Sequence, residues 1–418
     1  MIKHLWILLM CAVTAQATVK INIPVEISDE TYILAAMDAQ LRKKYDLAFQ
    51  YFQYLYQKTG QKEYLYNSLR MYESQKGSAQ FTKAMQEALE KNPDDTMLLR
   101  FHIVALLKEG KYSQAANESR ILSQQTKEAS DYLLNAEALI KLGNYQSGYS
   151  ELKKAYVITY DEETAERIAL LMYTQLGQKE EAIIFLKEHI GVHGNSKRLG
   201  KRLGSLYADS GALEDAVTIY EATYELSNDP SIAEDAVKIY VYRQEFQKLT
   251  VLLEKSGVND PLLLELYVRN KDFSKASELA RKLYKKEANP LYLAQSSVFE
   301  YEAATNRNDI TLLKKVVEDL KQANAQVEDP IYLNYLGYLM IDHDLGVKEG
   351  MVYVQKALDK QPESAFYIDS LAWGKYKLGE CAEALRLILQ VESMVGTNEQ
   401  EVKDHIKAIQ QCKTKEIK

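Results

Sequence analysis

Along this 418-residue chain the apolar residues fall mostly at helical spacing, which predicts a near-continuous series of amphipathic helices with polar outer faces. One stretch departs from it. Val19, Ile21, Ile23, Val25 and Ile27 alternate with polar residues or Pro24, which is strand spacing. The proline limits residues 18–27 to a sheet edge or an extended arm.

From Ser28 onward the pattern repeats itself. A small or aliphatic residue recurs at Ala48, Phe81, Ala115, Gly148, Ala182, Ala216, Leu249, Ala276, Leu313, Gly350 and Ala384. The steps are 33 or 34 residues, except for 27, 37 and 37 between Leu249 and Gly350. Twelve residues before the markers stand Ala36, Leu69, Ile103, Ala136, Leu170, Gly204, Val237, Leu264, Tyr301 and Ala372, with Gly337 displaced by one. Three residues before several markers comes an aromatic: Tyr45, Tyr112, Tyr145, Phe246 and Phe273. Gly110, Gly143, Gly177, Gly211 and Gly379 end the first helix of their units, and prolines such as Pro93, Pro230, Pro290, Pro330 and Pro362 separate units.

Each landmark has a physical reason. Antiparallel helices approach closely only where one presents a small side chain, so alanines and glycines mark the crossings. Glycine after the first helix takes the left-handed cap conformation without steric penalty. The uneven steps place a short helix or a kink in the units beginning near Asp260 and Pro290.

With this period and these landmarks the sequence resembles a tetratricopeptide repeat array of the exported bacterial type, most clearly from Tyr132 through Ala155 and from Leu203 through Tyr220. Asn334-Tyr335-Leu336-Gly337-Tyr338 and Tyr367-Ile368-Asp369-Ser370-Leu371-Ala372-Trp373 are similar to a repeat pair near the C-termini of such proteins. The resemblance implies an all-α, right-handed superhelical solenoid of about eleven antiparallel helix pairs over residues 28–396. It also implies that ligands are held on a concave face built mainly from first helices. On that pattern Asn334, Tyr335, Tyr338, Asp342, Asp369, Ser370, Trp373, Tyr376 and Lys377 lie along one groove, aromatic with a few polar heads. Tyr338 and Trp373 equally suit packing between neighbouring units. The repeated lysine and asparagine of relatives that clamp two carboxylates is missing.

The first residues read as an address. Lys3 and His4 precede the apolar run Leu5 to Val13, and Ala15-Gln16-Ala17 has the small-x-small form of a cleavage site, so residues 1–17 are expected to be a signal peptide. The run is far short of the roughly 20 residues that span a bilayer. An exported protein is expected, periplasmic or associated with the outer membrane. Cys381 and Cys412 then remain, neither at zinc-ligand spacing. Cys381 opens the second helix of the final pair, the chain turns near Gly396, and residues 397–418 return as a capping helix and tail whose apolar residues are Val402, Ile406 and Ile409. About fifteen residues back from the turn and sixteen forward bring the two cysteines to one level, so a disulfide is expected. Two small packing thiols are the other reading.

Charge and chemistry narrow the function. With 52 basic and 59 acidic residues the net charge is −7, which argues against nucleic acid as a partner. Tyrosine stands at 30 against 9 phenylalanines, which suits rings left half wet in a thin array. His189 and His193 have the spacing of a zinc pair, but Gly191 lies between them without the HExxH order, so no metal is expected. Neither a GxSxG elbow nor a phosphate loop occurs, and neither enzyme activity nor a cofactor is expected. A secondary basic patch, Lys197, Arg198, Lys201 and Arg202, suits an acidic tail, with Glu234 and Asp235 as neutralising partners one unit later.

The resulting expectation is a non-catalytic protein–protein interaction scaffold or adaptor in the cell envelope, holding segments of other envelope proteins without a transmembrane span. The alternative is a binding module for an envelope polymer, glycan or lipid, with peripheral membrane association. An envelope enzyme without a recognised motif is third.

Overall fold

The structure is a computed structural model describing residues 28–73, 79–395 and 400–416; the expected leader, the extended arm and Gly396 lie outside them. Every regular element among the described residues is an α-helix. The chain divides into two compact units between Ser210 and Gly211.

The first unit holds α1 (Asp29–Leu41), α2 (Tyr45–Thr59), α3 (Lys62–Glu73), α4 (Ala79–Lys91), α5 (Thr96–Lys108), α6 (Tyr112–Thr126), α7 (Ala129–Lys141), α8 (Tyr145–Thr159), α9 (Glu162–Thr174), α10 (Lys179–His193) and α11 (Lys197–Asp209). The second holds α12 (Leu213–Ser227), α13 (Pro230–Arg243), α14 (Phe246–Ser256), α15 (Asp260–Arg269), α16 (Phe273–Glu287), α17 (Pro290–Ala303), α18 (Ile310–Asn324), α19 (Pro330–Asp342), α20 (Val347–Lys360), α21 (Ala365–Lys377), α22 (Cys381–Val395) and α23 (Gln400–Glu416).

Within a unit each helix packs on the next, and first helices also touch the first helices of neighbouring pairs: α3 with α5, α5 with α7 and α9 with α11, then α19 with α21 and α21 with α23. Hairpins stacked so that first helices lie side by side are the tetratricopeptide-type arrangement, and the fold is of that type. Every pair leaves one apolar stripe for its neighbour, so core clusters run across pairs. One joins Leu293 of α17, Val316 and Leu320 of α18, and Leu336 and Met340 of α19.

The local reasons are visible at the turns. Gly110, Gly143, Gly177, Gly211 and Gly379 have φ between +70° and +84°, the left-handed cap in which an L side chain is strained. Tyr45, Tyr112, Tyr145, Phe246 and Phe273 are each the first residue of a second helix. Pro230, Pro290 and Pro330 open first helices, and the carboxylate or amide of Asp229, Asn289 or Asp329 just before each accepts a backbone N–H of the first turn. At Gly337 an added Cβ would stand 2.5 Å from the Gly350 carbonyl oxygen, and one at Gly350 would stand 2.7 Å from the Gly337 carbonyl oxygen. Here α19 and α20 cross backbone to backbone.

The register differs from the sequence pattern at α9. Leu170, expected at a crossing, is 37% exposed, and the fully buried small residues of α9 are Ala165 and, next to Leu170, Ala169. The turn after α9 is longer: Gly177 stands three residues after Thr174, whereas Gly143 stands two after Lys141. Counting twelve residues back from Ala182 therefore stops one short of Ala169. The 27-residue step corresponds to the short helices α14 and α15, of 11 and 10 residues.

Within each unit, side chains tie neighbouring helix pairs at about one repeat length. The Lys62 ammonium and the Tyr66 hydroxyl both donate to Asp95 Oδ2, at 2.6 and 2.8 Å. Arg100 donates through Nε and an Nη to the two oxygens of Asp131, both at 2.7 Å. Tyr335 donates to Glu302 at 2.8 Å and Lys377 to Asp344 at 3.0 Å. At the C-terminal end Cys381 and Cys412 form a disulfide between α22 and α23, Cα atoms 5.7 Å apart. Val402, Ile406 and Ile409 join the core there with Ile388 and Val391. No described helix is long and apolar enough to cross a membrane.

Candidate functional site

The first helices α17, α19 and α21 supply the candidate groove. Asn334, Tyr335, Tyr338 and Asp342 recur at i, i+1, i+4 and i+8 on α19, which keeps them on one face. Asp369 and Ser370 come from the next first helix. These six line one cavity of about 400 Å³ together with Tyr301, Glu302, Arg307, Leu339 and Phe366. Trp373, Tyr376 and Lys377, expected in the same groove, stand beside it.

Their contacts explain the displacement. Trp373 stacks with both Tyr376 and His405, with ring centres 4.8 and 4.2 Å away. Its indole Nε1–H donates to Asp342 Oδ1 at 3.0 Å. Lys377 donates to the Asp342 carbonyl oxygen at 2.9 Å and lies 5.7 Å from the centre of the Trp373 ring. Asp369 is 7% exposed, and its carboxylate meets His405 Nδ1 at 3.0 Å. Trp373 is therefore mainly a packing residue that holds α21 against α23, whereas Tyr338 faces both the cavity and His405, ring centres 6.0 Å apart.

The other end of the cavity is organised by the repeat before. Tyr335 donates its hydroxyl to Glu302, whose carboxylate also receives Arg307 at 2.6 Å. Burial, with Glu302 beside it, pushes the Tyr335 phenol far above its ordinary pKa, so it acts as a fixed donor. The Arg307 guanidinium lies 5.3 Å from the Tyr301 ring centre, and the Tyr301 hydroxyl meets His343 Nε2 at 2.9 Å. Asn334 Oδ1 is buried without a hydrogen-bond partner among the described residues. Phe366 is 64% exposed, the apolar lip of the cavity.

Glu302, Arg307 and Phe366 were not legible as site residues. Glu302 and Arg307 lie where the period is broken, and an exposed phenylalanine carries no signature in one sequence.

The basic patch sits on α11 in the first unit. Glu166 of α9 receives Arg198 Nε at 2.5 Å and Arg202 Nε at 2.8 Å, and those two guanidinium groups hold its carboxyl below the usual range against the opposing effect of burial. Lys197, Arg198, Lys201 and Arg202 border a hollow of about 670 Å³ with Glu162 and Glu166. The carboxylate that binds both arginines thus comes from the preceding first helix, α9.

The histidine pair is a packing feature. His189 Nδ1 meets the Tyr156 hydroxyl at 2.6 Å, His193 stacks on Tyr160, and the two imidazoles are 4.7 Å apart. Among the described residues no group of three or more histidines, cysteines or carboxylates converges as a metal site would require.

No protein-family model matches the chain, and no curated protein matches it in sequence. Among solved structures it is similar to Cut9 in the crystal structure of the APC/C hetero-tetramer Cut9–Hcn1, at 10% identity with a TM-score of 0.39, covering 92% of this chain and 96% of that one. It is also similar to yeast Tom70, at 15% identity and a TM-score of 0.33, covering 93% and 97%. A thermophilic TPR protein in Thermus thermophilus, TTC0263, aligns at 17% identity and a TM-score of 0.31 over 51% of this chain and 100% of its own. The tetratricopeptide-type architecture rests on this chain's own helix pairs and their period.

Proposed function

We propose that the protein is a non-catalytic adaptor of the cell envelope that holds segments of other proteins in the groove of α17, α19 and α21. The observation that carries this reading is the cavity itself: Tyr301, Tyr335, Tyr338 and Phe366 line it beside Glu302, Asp342 and Asp369. Large rings, with Tyr301 and Tyr335 fixed by hydrogen bonds, bind a peptide with little loss of side-chain freedom. The chemical groups point the same way, since the carboxylates are tied to arginine, tryptophan and histidine partners. An envelope location is supported by the leader pattern of residues 1–17 and by the Cys381–Cys412 disulfide, a bond that persists in oxidising compartments.

Trp373→Ala is a poor probe because it also loosens α23. A photoreactive phenylalanine analogue at the exposed Phe366, compared with one at the exposed Val352 on α20, avoids that. The expected result is protein adducts from Phe366 alone after illumination of envelope preparations. Equal adducts from both positions, or retention on glycan without protein adducts, would overturn the adaptor reading.

A further inference from the structure

Two planar nitrogen groups of this chain already sit on an aromatic face against a carboxylate at the borders of the cavity. Arg307 lies over Tyr301 and binds Glu302. His405 lies flat on Trp373, planes 16° apart, and binds Asp369. Between them the cavity repeats the ingredients a third time: Tyr335 and Tyr338, the Asp342 carboxylate, and the unpartnered acceptor Asn334 Oδ1. Asp342 uses only Oδ1 for the Trp373 indole.

We infer that an arginine side chain of an extended partner segment enters between Tyr338 and Asp342, its guanidinium donating to Asp342 Oδ2 and Asn334 Oδ1. This deepens the adaptor reading and rests on it. The charge of the cavity favours a cation, since Glu302, Asp342 and Asp369 face a single lining guanidinium, Arg307. Shape favours arginine over lysine: a planar fork stacks on a phenol while several of its N–H groups reach separate acceptors, whereas an ammonium presents one compact charge. The need of Asn334 is equally specific, because a buried carbonyl oxygen left without a donor is unfavourable until one arrives. Phe366 beside the entrance offers apolar contact to the residues flanking the arginine.

Titration calorimetry of the full chain with a blocked nine-residue peptide, a central arginine flanked by leucines, tests this. The probes compared are that peptide and its citrulline, lysine and glutamate counterparts. Citrulline keeps the shape and removes the charge. Asp342→Asn keeps an acceptor for the Trp373 indole and removes the charge on the other side. The expected result is that citrulline binds about ten-fold or more weakly than arginine, with lysine between, and that Asp342→Asn brings arginine down to the citrulline level while leaving citrulline unchanged. Equal binding of arginine and citrulline, or an Asp342→Asn variant with the wild-type preference, would overturn the inference. So would failure of all four peptides to bind; if the Phe366 probe still cross-links a protein in that case, the adaptor reading survives, and if it does not, both fall.

Discussion

The indole of Trp373 lies flat on the imidazole of His405, ring centres 4.2 Å apart, and the same imidazole reaches the buried Asp369 carboxylate. Two first helices, α21 and α23, are joined by this column. His405→Ala leaves Asp369 buried without its partner, a change of about 3 kcal/mol in the local stability of this end. Hydrogen exchange read by mass spectrometry is the measurement: faster exchange in α21 and α23, with α5 to α9 unchanged, is expected. Uniform protection in the variant would show that the contact contributes nothing.

The disulfide closes a loop of 31 residues, for which loop entropy gives about 3 to 4 kcal/mol. Reduction of the intact protein is expected to leave most of the helical signal and to make α23 the first segment cut by trypsin. Cys412→Ser should reproduce that pattern without reductant. Identical proteolysis of oxidised and reduced protein would contradict it.

Gly337→Ala is expected to be among the most damaging single changes in the second unit. Its Cβ would meet the Gly350 carbonyl oxygen at 2.5 Å and the Val354 amide nitrogen at 2.9 Å, both backbone atoms that yield only if α19 and α20 separate. The loss should be about 2 to 3 kcal/mol. Gly143→Ala meets nothing within 4 Å and is strained only by its φ of +79°, so about 1 kcal/mol is expected there. Urea denaturation of the two variants side by side gives the comparison.

His189 makes the first unit sensitive to acid. Burial, reinforced by His193, holds its pKa below the ordinary 6.5, against the pull of Glu162 and Asp161, and the Tyr156 hydroxyl engages Nδ1. The folded form resists a proton that the unfolded chain accepts. Stability from this site is therefore present above pH 6.5 and is lost as pH falls through that value toward the lower folded pKa. Thermal melts from about pH 7.5 to about pH 5 should show a fall for the native chain that is shallower in His189→Gln. Parallel slopes would exclude His189 as the cause.

The hairpins were legible because their determinants are local. Gly110, Gly143 and Gly379 need only a left-handed cap, Pro290 and Pro330 only a helix start, and the Cys381–Cys412 pairing only equal counts on either side of a turn. Leu170 was expected in place of Ala169 because the register there depends on one added residue in the following turn, to which the period is blind. The candidate residues of α19 were legible together because Asn334, Tyr338 and Asp342 recur at i, i+4 and i+8 on one helix. The role of His405 was not, because it depends on how α23 docks, and that is set by apolar contacts of Val402, Ile406 and Ile409 with the repeat before. Arg307 sits in the irregular turn between α17 and α18, and only tertiary contact brings its guanidinium over Tyr301.

The side-chain bridges from Lys62 to Asp95, from Tyr335 to Glu302 and from Lys377 to Asp344 all span 33 residues. They act like the teeth of a rack. Inserting one residue into a helix turns every later side chain of that helix by about 100°, so donors and acceptors on adjacent units no longer mesh. Inserting a whole unit offers each tooth an equivalent partner. Growth or shrinkage of this chain over evolutionary time should therefore proceed by duplication or loss of complete units, with smaller changes confined to turns such as 304–309, where the spacing is already uneven.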